Sequence, residues 1–98
     1  MTLPVVFRKA AQKEFDGSTV WYETQKPGLG GEFIAAVERV LDQIADRPEL
    51  YQIIEGDVRR AVVSRFPYCV YYRALPDRVV VIAVFNASRS PSAWRRRR

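Results

Sequence analysis

The sequence predicts an α+β domain of order β-α-α-β-β-β, with a helical hairpin packed on one face of a mainly antiparallel four-stranded sheet. Apolar residues recur at helical spacing in residues 9–25 and 32–46. The last third holds three runs rich in β-branched and aromatic residues, joined by connections short enough only for hairpins. Ninety-eight residues that are 48% hydrophobic suffice for one domain, residues 1–98, with its own core.

The chain begins with a short strand and a helix. Residues 3–8 are rich in β-branched and aromatic side chains and carry a proline near their start, which suits a first or edge strand. Residues 9–25 follow with helical periodicity, although Gly17 weakens that helix by about 1 kcal/mol relative to alanine. Trp21 and Tyr22 belong to this helix, and aromatic residues on a helix beside a sheet are expected in the core.

A second helix follows a turn. Residues 26–31 form a run of glycine and proline breakers, so the second helix is expected to begin after them. Residues 32–46 carry a continuous apolar stripe with charged residues away from it. Pro48 lies just beyond the end of this helix. Residues 48–57 are predicted to be a linking loop.

Three strands complete the domain. We predict them at residues 58–66, 68–74 and 78–86, arranged as an antiparallel meander. The third run is apolar without alternation, which indicates an interior strand that is covered on both faces. Ser90 and Pro91 then suit the cap and first position of a single helical turn.

Positive charge is concentrated in the second half. Residues 1–56 hold six Lys or Arg against nine acids, whereas residues 57–98 hold ten Arg against two acids. Arginine keeps its charge in any site and suits bidentate contacts with phosphate or carboxylate, so the partner surface is expected to be anionic. Four of these arginines are residues 95–98, which we predict to be a basic flexible tail. Such a block of charge is either only solvated or adds affinity for nucleic acid that falls as the salt concentration rises.

Composition excludes several classes of function. Cys69 is the single cysteine and histidine is absent, which removes an internal disulfide, a Cys/His metal cluster and all histidine-based catalysis. We therefore expect neither a metal nor a cofactor. Cys69 itself is interpreted as a small buried hydrophobic residue. The longest apolar run, residues 79–85, is too short to span a membrane, and the N-terminus lacks the pattern of a signal peptide, so the expected location is the cytoplasm.

The order of these elements and a set of short motifs resemble the ParE/RelE superfamily of toxins from type II toxin-antitoxin systems. The resemblance runs from the first strand to Trp94. It rests on Trp21-Tyr22-Glu23, Pro27-Gly28-Leu29-Gly30, Phe33, Pro48, Val58-Arg59, Phe66-Pro67-Tyr68, Val70-Tyr71-Tyr72 and Ser88-Arg89-Ser90-Pro91-Ser92-Ala93-Trp94-Arg95.

That resemblance implies a small basic toxin that arrests growth, serves functions such as plasmid stabilisation, and is neutralised by a short acidic antitoxin wrapped around it. ParE-like members inhibit DNA gyrase, whereas RelE-like members cut messenger RNA on the ribosome. A degenerate toxin that only binds its antitoxin and DNA is a third alternative.

The residues at the positions of the RelE-like catalytic side chains favour the ParE-like alternative. RelE-like chemistry implies two lysines on the first meander strand, but Arg60 and Val62 occupy those positions; Cys69 stands where an arginine is expected. Arg89 matches the arginine after the last strand, but Trp94 occupies the nearby tyrosine position and has no titratable hydroxyl. Asn86 likewise stands where many relatives carry histidine.

Candidate site residues follow from this comparison. If the chain is an enzyme, it is a metal-independent endoribonuclease whose cations are Arg60, Arg65 and Arg89. If it is a gyrase inhibitor, Arg89, Trp94 and Arg95 form the target-binding group, since exposed Trp and Arg together are typical of binding hot spots; Trp94 covering the open sheet face is the alternative.

A second group of arginines is expected to bind the antitoxin. Arg59 and Arg65 are six residues apart in one predicted strand, an even number, so they share a face, and Arg60 points the other way unless a bulge intervenes. Arg73 on the next strand completes the set.

Overall fold

In the computed structural model, which describes residues 2–89 and 92–97, a five-stranded sheet carries two long helices on one face. In chain order the elements are β1 (Val5–Phe7), α1 (Lys9–Gln25), α2 (Leu29–Asp46), β2 (Ile53–Glu55), β3 (Val58–Val62), β4 (Tyr68–Ala74), β5 (Val79–Asn86) and α3 (Ser92–Arg95). The sheet order is β1-β5-β4-β3-β2; β1 is parallel to β5 and the other pairs are antiparallel. The predicted fold class and the meander of β3, β4 and β5 are confirmed.

One strand was not predicted. Residues 53–55 lie in the segment predicted to be a loop, yet they pair with β3 as the edge strand β2. The pairing register shifts between Ile53 and Glu55. A three-residue strand with an irregular register has too little alternation to be recognised in the sequence.

The start of α2 also differs from the prediction. The helix begins at Leu29, three residues before the predicted start, and includes Gly30 and Gly31, two of the predicted breakers. Gly28 precedes it with φ +91°, a conformation that favours glycine. The Gly28 and Gly30 amides donate hydrogen bonds of 3.0 and 2.9 Å to the Glu23 carboxylate, and these donors lower the pKa of Glu23. A contact with α1 therefore stabilises a helical turn that local propensity disfavours.

The third difference concerns the end of β3. This strand stops at Val62 rather than at residue 66, and Arg65 lies in the β3–β4 turn with φ +73°. Arg59 and Arg65 therefore do not lie on one strand, and the prediction that they share a strand face is wrong.

The core under the helices is aromatic. Phe33 of α2 packs against Tyr22, Phe66 and Tyr68 with ring centroids 5.0 to 5.2 Å apart. Tyr22 is in the core as predicted, but Trp21 is 54% exposed, so its predicted burial is wrong. Neighbouring helical residues point about 100° apart, so α1 directs only one of the two rings toward the sheet.

The sheet is buried on both faces around β5. Every residue from Val79 to Phe85 is buried, which confirms the predicted interior strand. Cys69 is also buried as predicted, and burial raises the pKa of its thiol. On the helix side, the Tyr72 hydroxyl donates to the carbonyl oxygen of Pro48 at 2.8 Å, and burial raises the pKa of Tyr72 to about 12.

Replacing each of two glycines in the helical hairpin by alanine is expected to change the free energy of unfolding in opposite directions. A Cβ at Gly30 would lie 2.9 Å from the Thr19 carbonyl oxygen, a backbone atom of α1, whereas a Cβ at Gly17 would meet nothing within 4 Å. We expect G30A to lower the free energy of unfolding by about 1–3 kcal/mol, because the helices must separate. We expect G17A to raise it by about 1 kcal/mol through helix propensity. Urea unfolding followed by circular dichroism measures both; shifts in the same direction would contradict the packing described.

Candidate functional site

Strand alternation brings two of the predicted arginines to the sheet face opposite α1 and α2, which we call the open face. Arg60 of β3 lies directly across from Tyr71 of β4, and Arg73 lies across from Val58. Val58 and Tyr71 belong to the buried cluster on this face. Because residues opposite each other in a sheet point to the same side, Arg60 and Arg73 both extend from the open face.

An aromatic cluster occupies the centre of the open face. The Tyr71 ring lies 4.9 Å from Phe85 and 5.6 Å from Trp94, with the Tyr71 and Trp94 planes 22° apart. Trp94 is only 3% exposed. The placement matches the alternative in which Trp94 covers the open sheet face, and its indole is not an exposed hot-spot residue.

Arginine ion pairs fasten the C-terminal segment on both sides of Trp94. Arg95 contacts Glu55 of β2, with Nη2 2.8 Å and Nε 3.0 Å from Oε1. Arg97 donates to both oxygens of Glu14, at 2.8 and 3.0 Å. Arg95 and Arg97, two arginines of the predicted flexible tail, are thus paired with acids. Arg98 lies outside the described residues. Ser90 and Pro91, predicted to cap and begin the helical turn, also lie outside them.

Glu14 reaches this site because β1 is short. Strand β1 ends opposite Val81, so the outer edge of β5 continues beyond it. The Val84 amide donates to Glu14 Oε1 at 3.1 Å, and Arg97 Nη1 donates to the Ile82 carbonyl at 3.2 Å. The Glu14–Arg97 pair thereby satisfies polar backbone groups that an edge leaves open.

Arg89 lies at the same edge. Its guanidinium carbon is 4.6 Å from the centroid of the Phe85 ring, and its Nη1 is 3.5 Å from Glu14 Oε2. About half of the side chain is exposed, so the guanidinium is available to a partner. Arg89 and Arg95 therefore flank the aromatic cluster that ends in Trp94.

The residues predicted to bind the antitoxin lie in different places. Arg59 donates to the carbonyl oxygens of Tyr51 and Glu49, at 2.7 and 3.3 Å. Arg65 pairs with Glu32 of α2 at 2.8 Å, which places it beside the helices. Arg73 pairs with Asp57 at 2.9 Å on the open face.

The groups proposed for RNA cleavage do not converge. Arg65 lies with the helical layer, whereas Arg60 extends from the open face and Arg89 lies at the β5 edge. Burial raises the pKa of the Tyr71 hydroxyl beside Arg60, as it does for the Cys69 thiol. Asn86 accepts two hydrogen bonds from Ser88 and shapes the turn after β5. The open face can bind anions through arginine, whereas the Tyr71 hydroxyl and the Cys69 thiol keep their protons near neutral pH.

Two acids of the site were not predicted. Glu14 and Glu55 hold the arginines that fasten Trp94, yet the ion pairs join residues 83 and 40 positions apart in the chain. No local pattern signals such a pair.

In the described part of the chain, no group of His, Cys, Asp and Glu side chains is arranged to hold a metal ion. No helix among those residues combines the length and the apolar character needed to cross a membrane.

Residues 5–91 match the family model described as "ParE toxin of type II toxin-antitoxin system, parDE". A solved structure described as "Chromosomal ParDE TA system from P. aeruginosa" is similar in fold, with a TM-score of 0.61 and 12% sequence identity. The similarity covers 87% of this chain and 96% of that one. No curated protein matches the sequence.

Proposed function

The chain belongs to the ParE toxin family of type II toxin-antitoxin systems, and from that premise we propose that it arrests growth by binding DNA gyrase in the bacterial cytoplasm. The proposal rests on one observation above all. The open face presents arginines around a buried aromatic cluster, and burial raises the pKa of the Tyr71 hydroxyl beside Arg60, so this hydroxyl keeps its proton at neutral pH. Such a surface is suited to binding an anionic partner. It is poorly suited to RNA cleavage, which needs groups that give up and accept protons.

Target binding is assigned to the segment from Arg89 to Arg95. Arg89 and Arg95 are each about half exposed, and they lie on opposite sides of the aromatic cluster. Trp94 is buried and does not contact the target itself. It holds the segment on the sheet and thereby positions the two arginines. A trapped gyrase–DNA complex offers both phosphates and acidic side chains to guanidinium groups.

We further propose that a short acidic antitoxin neutralises the chain. Arg60 is exposed and Arg73 carries a partly exposed ion pair on the same face. Carboxylates of an antitoxin would bind Arg60 and compete with Asp57 for Arg73. Contact with Arg59 and Arg65 as well requires a segment that passes around the sheet edge to the helix side, in keeping with an antitoxin that wraps its toxin.

The test is pulse-labelling of DNA and protein synthesis in the minutes after the chain alone is induced in a bacterial host. We expect DNA synthesis to fall first, with linearised plasmid trapped on gyrase. Co-expression of the cognate antitoxin is the matched control and should restore both rates. If translation falls first, the chain is a ribosome-dependent RNase and the gyrase proposal is wrong. If neither rate falls, the chain is a degenerate toxin.

A further inference from the structure

A groove lies on the other side of the molecule from the open face, between the edge strand β1 and helix α2. Its volume is about 550 Å³. Val5 and Phe7 of β1 line one side, and Leu41 and Ala45 of α2 line the other. Apolar side chains therefore line both sides of the groove. We call it the β1–α2 groove.

The outer edge of β1 has backbone amide and carbonyl groups that can pair with another strand along this groove. Strand β1 is the first in the sheet order, so among the described residues no strand lies beyond its outer edge. The Val79 amide donates to the Pro4 carbonyl, and the Arg8 amide donates to the Val81 carbonyl. In a parallel pair, alternate residues bond to the neighbour, so the amide and carbonyl groups of Val5 and Phe7 point away from β5. These groups are a template for one more strand.

The rim of the groove is acidic. Glu38 and Asp42 both line it, and both are exposed. Within the described residues, neither carboxylate has an ion pair or a hydrogen bond to another side chain. Other acids of the chain, such as Glu14, Glu32 and Glu55, are paired with arginines. Within residues 2–89 and 92–97, these two negative charges at the groove therefore stay unpaired.

The spacing of the two acids matches that of a strand. Residues four apart on a helix rise about 6 Å along its axis, and residues two apart on a strand rise about 6.6 Å. A strand added to β1 would therefore place side chains at positions i and i+2 opposite Glu38 and Asp42. The next side chain on that face would contact Leu41 and Ala45.

We propose that the β1–α2 groove binds an extended segment of a basic protein partner, which adds to β1 as a further strand. Two Lys or Arg residues at i and i+2 contact Glu38 and Asp42, and an apolar residue on the same face fills the groove. A second copy of the chain fits less well, because antiparallel pairing of two β1 strands would bring the acids of both copies together. An acidic antitoxin segment is repelled by the same two carboxylates. The inference is independent of the gyrase proposal.

The probe is a synthetic peptide, Thr-Lys-Thr-Lys-Thr-Val-Thr, in which alternate positions place Lys, Lys and Val on one face. It is titrated into the ¹⁵N-labelled full chain, and the amide signals are followed by NMR. We expect saturable shifts at Val5, Phe7 and Leu41 and slower hydrogen exchange of the Val5 and Phe7 amides. A peptide with Glu in place of Lys should not bind.

Charge variants provide the matched control. E38Q/D42N should weaken binding of the lysine peptide by about threefold to thirtyfold, which corresponds to two exposed ion pairs. E49Q/D77N changes the net charge equally outside the groove and should bind as the original chain does. Equal binding by E38Q/D42N, equal binding of the glutamate peptide, or shifts confined to another surface would each overturn the proposal. Concentration-dependent self-association through β1 without peptide would favour a second copy instead.

Discussion

W94A is expected to lower the free energy of unfolding by about 3–5 kcal/mol, the cost of truncating a fully buried tryptophan. The ring is 3% exposed and stacks on Tyr71, so its removal opens a cavity over the centre of the open face. The flanking pairs made by Arg95 and Arg97 cannot compensate, because partly exposed ion pairs contribute little. Urea unfolding followed by circular dichroism measures the change.

The chain contains its own control, because its second tryptophan is exposed. Trp21 is 54% exposed on α1, and W21A is expected to change the free energy of unfolding by about 0.5 kcal/mol. Each variant also leaves one emitting tryptophan. Trp94 in W21A should fluoresce at shorter wavelength than Trp21 in W94A, since one indole is buried and the other is in water. Equal unfolding midpoints, or solvent-like emission from Trp94, would show that the segment does not cover the sheet.

Much of the fold follows from local patterns. The bounds of α1 and β4 coincide with those predicted, and β5 begins one residue later. These elements have strong periodicity or dense β-branched and aromatic residues, so local preference and packing agree. The parts that were missed depend on distant contacts: the first turn of α2 needs Glu23 from α1, and β2 needs β3 beside it.

The candidate site was predictable to a smaller extent. Strand alternation correctly separated Arg60 from Arg59, because β3 is regular at these positions. The burial of Trp94 was only one of two alternatives, since a tryptophan near a chain end serves equally well as a plug or as an exposed anchor. Contacts that are distant in sequence decide between these roles: the Trp94 ring stacks on Tyr71, and Glu14 and Glu55 pair with the flanking arginines.

R89Q/R95Q is expected to abolish toxicity by weakening the affinity for gyrase about a thousandfold. Each arginine flanks the aromatic cluster, is about half exposed, and is assigned to target binding. A hot-spot arginine contributes about 2 kcal/mol, and two of them correspond to roughly three orders of magnitude. Inhibition of gyrase supercoiling by the purified chain measures the effect directly. The free energy of unfolding should fall by less than about 1 kcal/mol per exposed pair, so the variant remains folded.

Two controls separate target contact from charge and from folding. R39Q/R47Q removes the same charge from exposed sites on α2 and at its C-terminal end, in the helical layer, and should inhibit gyrase as the original chain does. E55Q weakens the pair with Arg95 but keeps the guanidinium, so it should also retain inhibition if Arg95 acts by contacting the target. Loss of inhibition in E55Q with a stable fold would mean that Arg95 serves to position the segment. Equal loss in R39Q/R47Q would mean that overall charge, rather than the open face, determines binding.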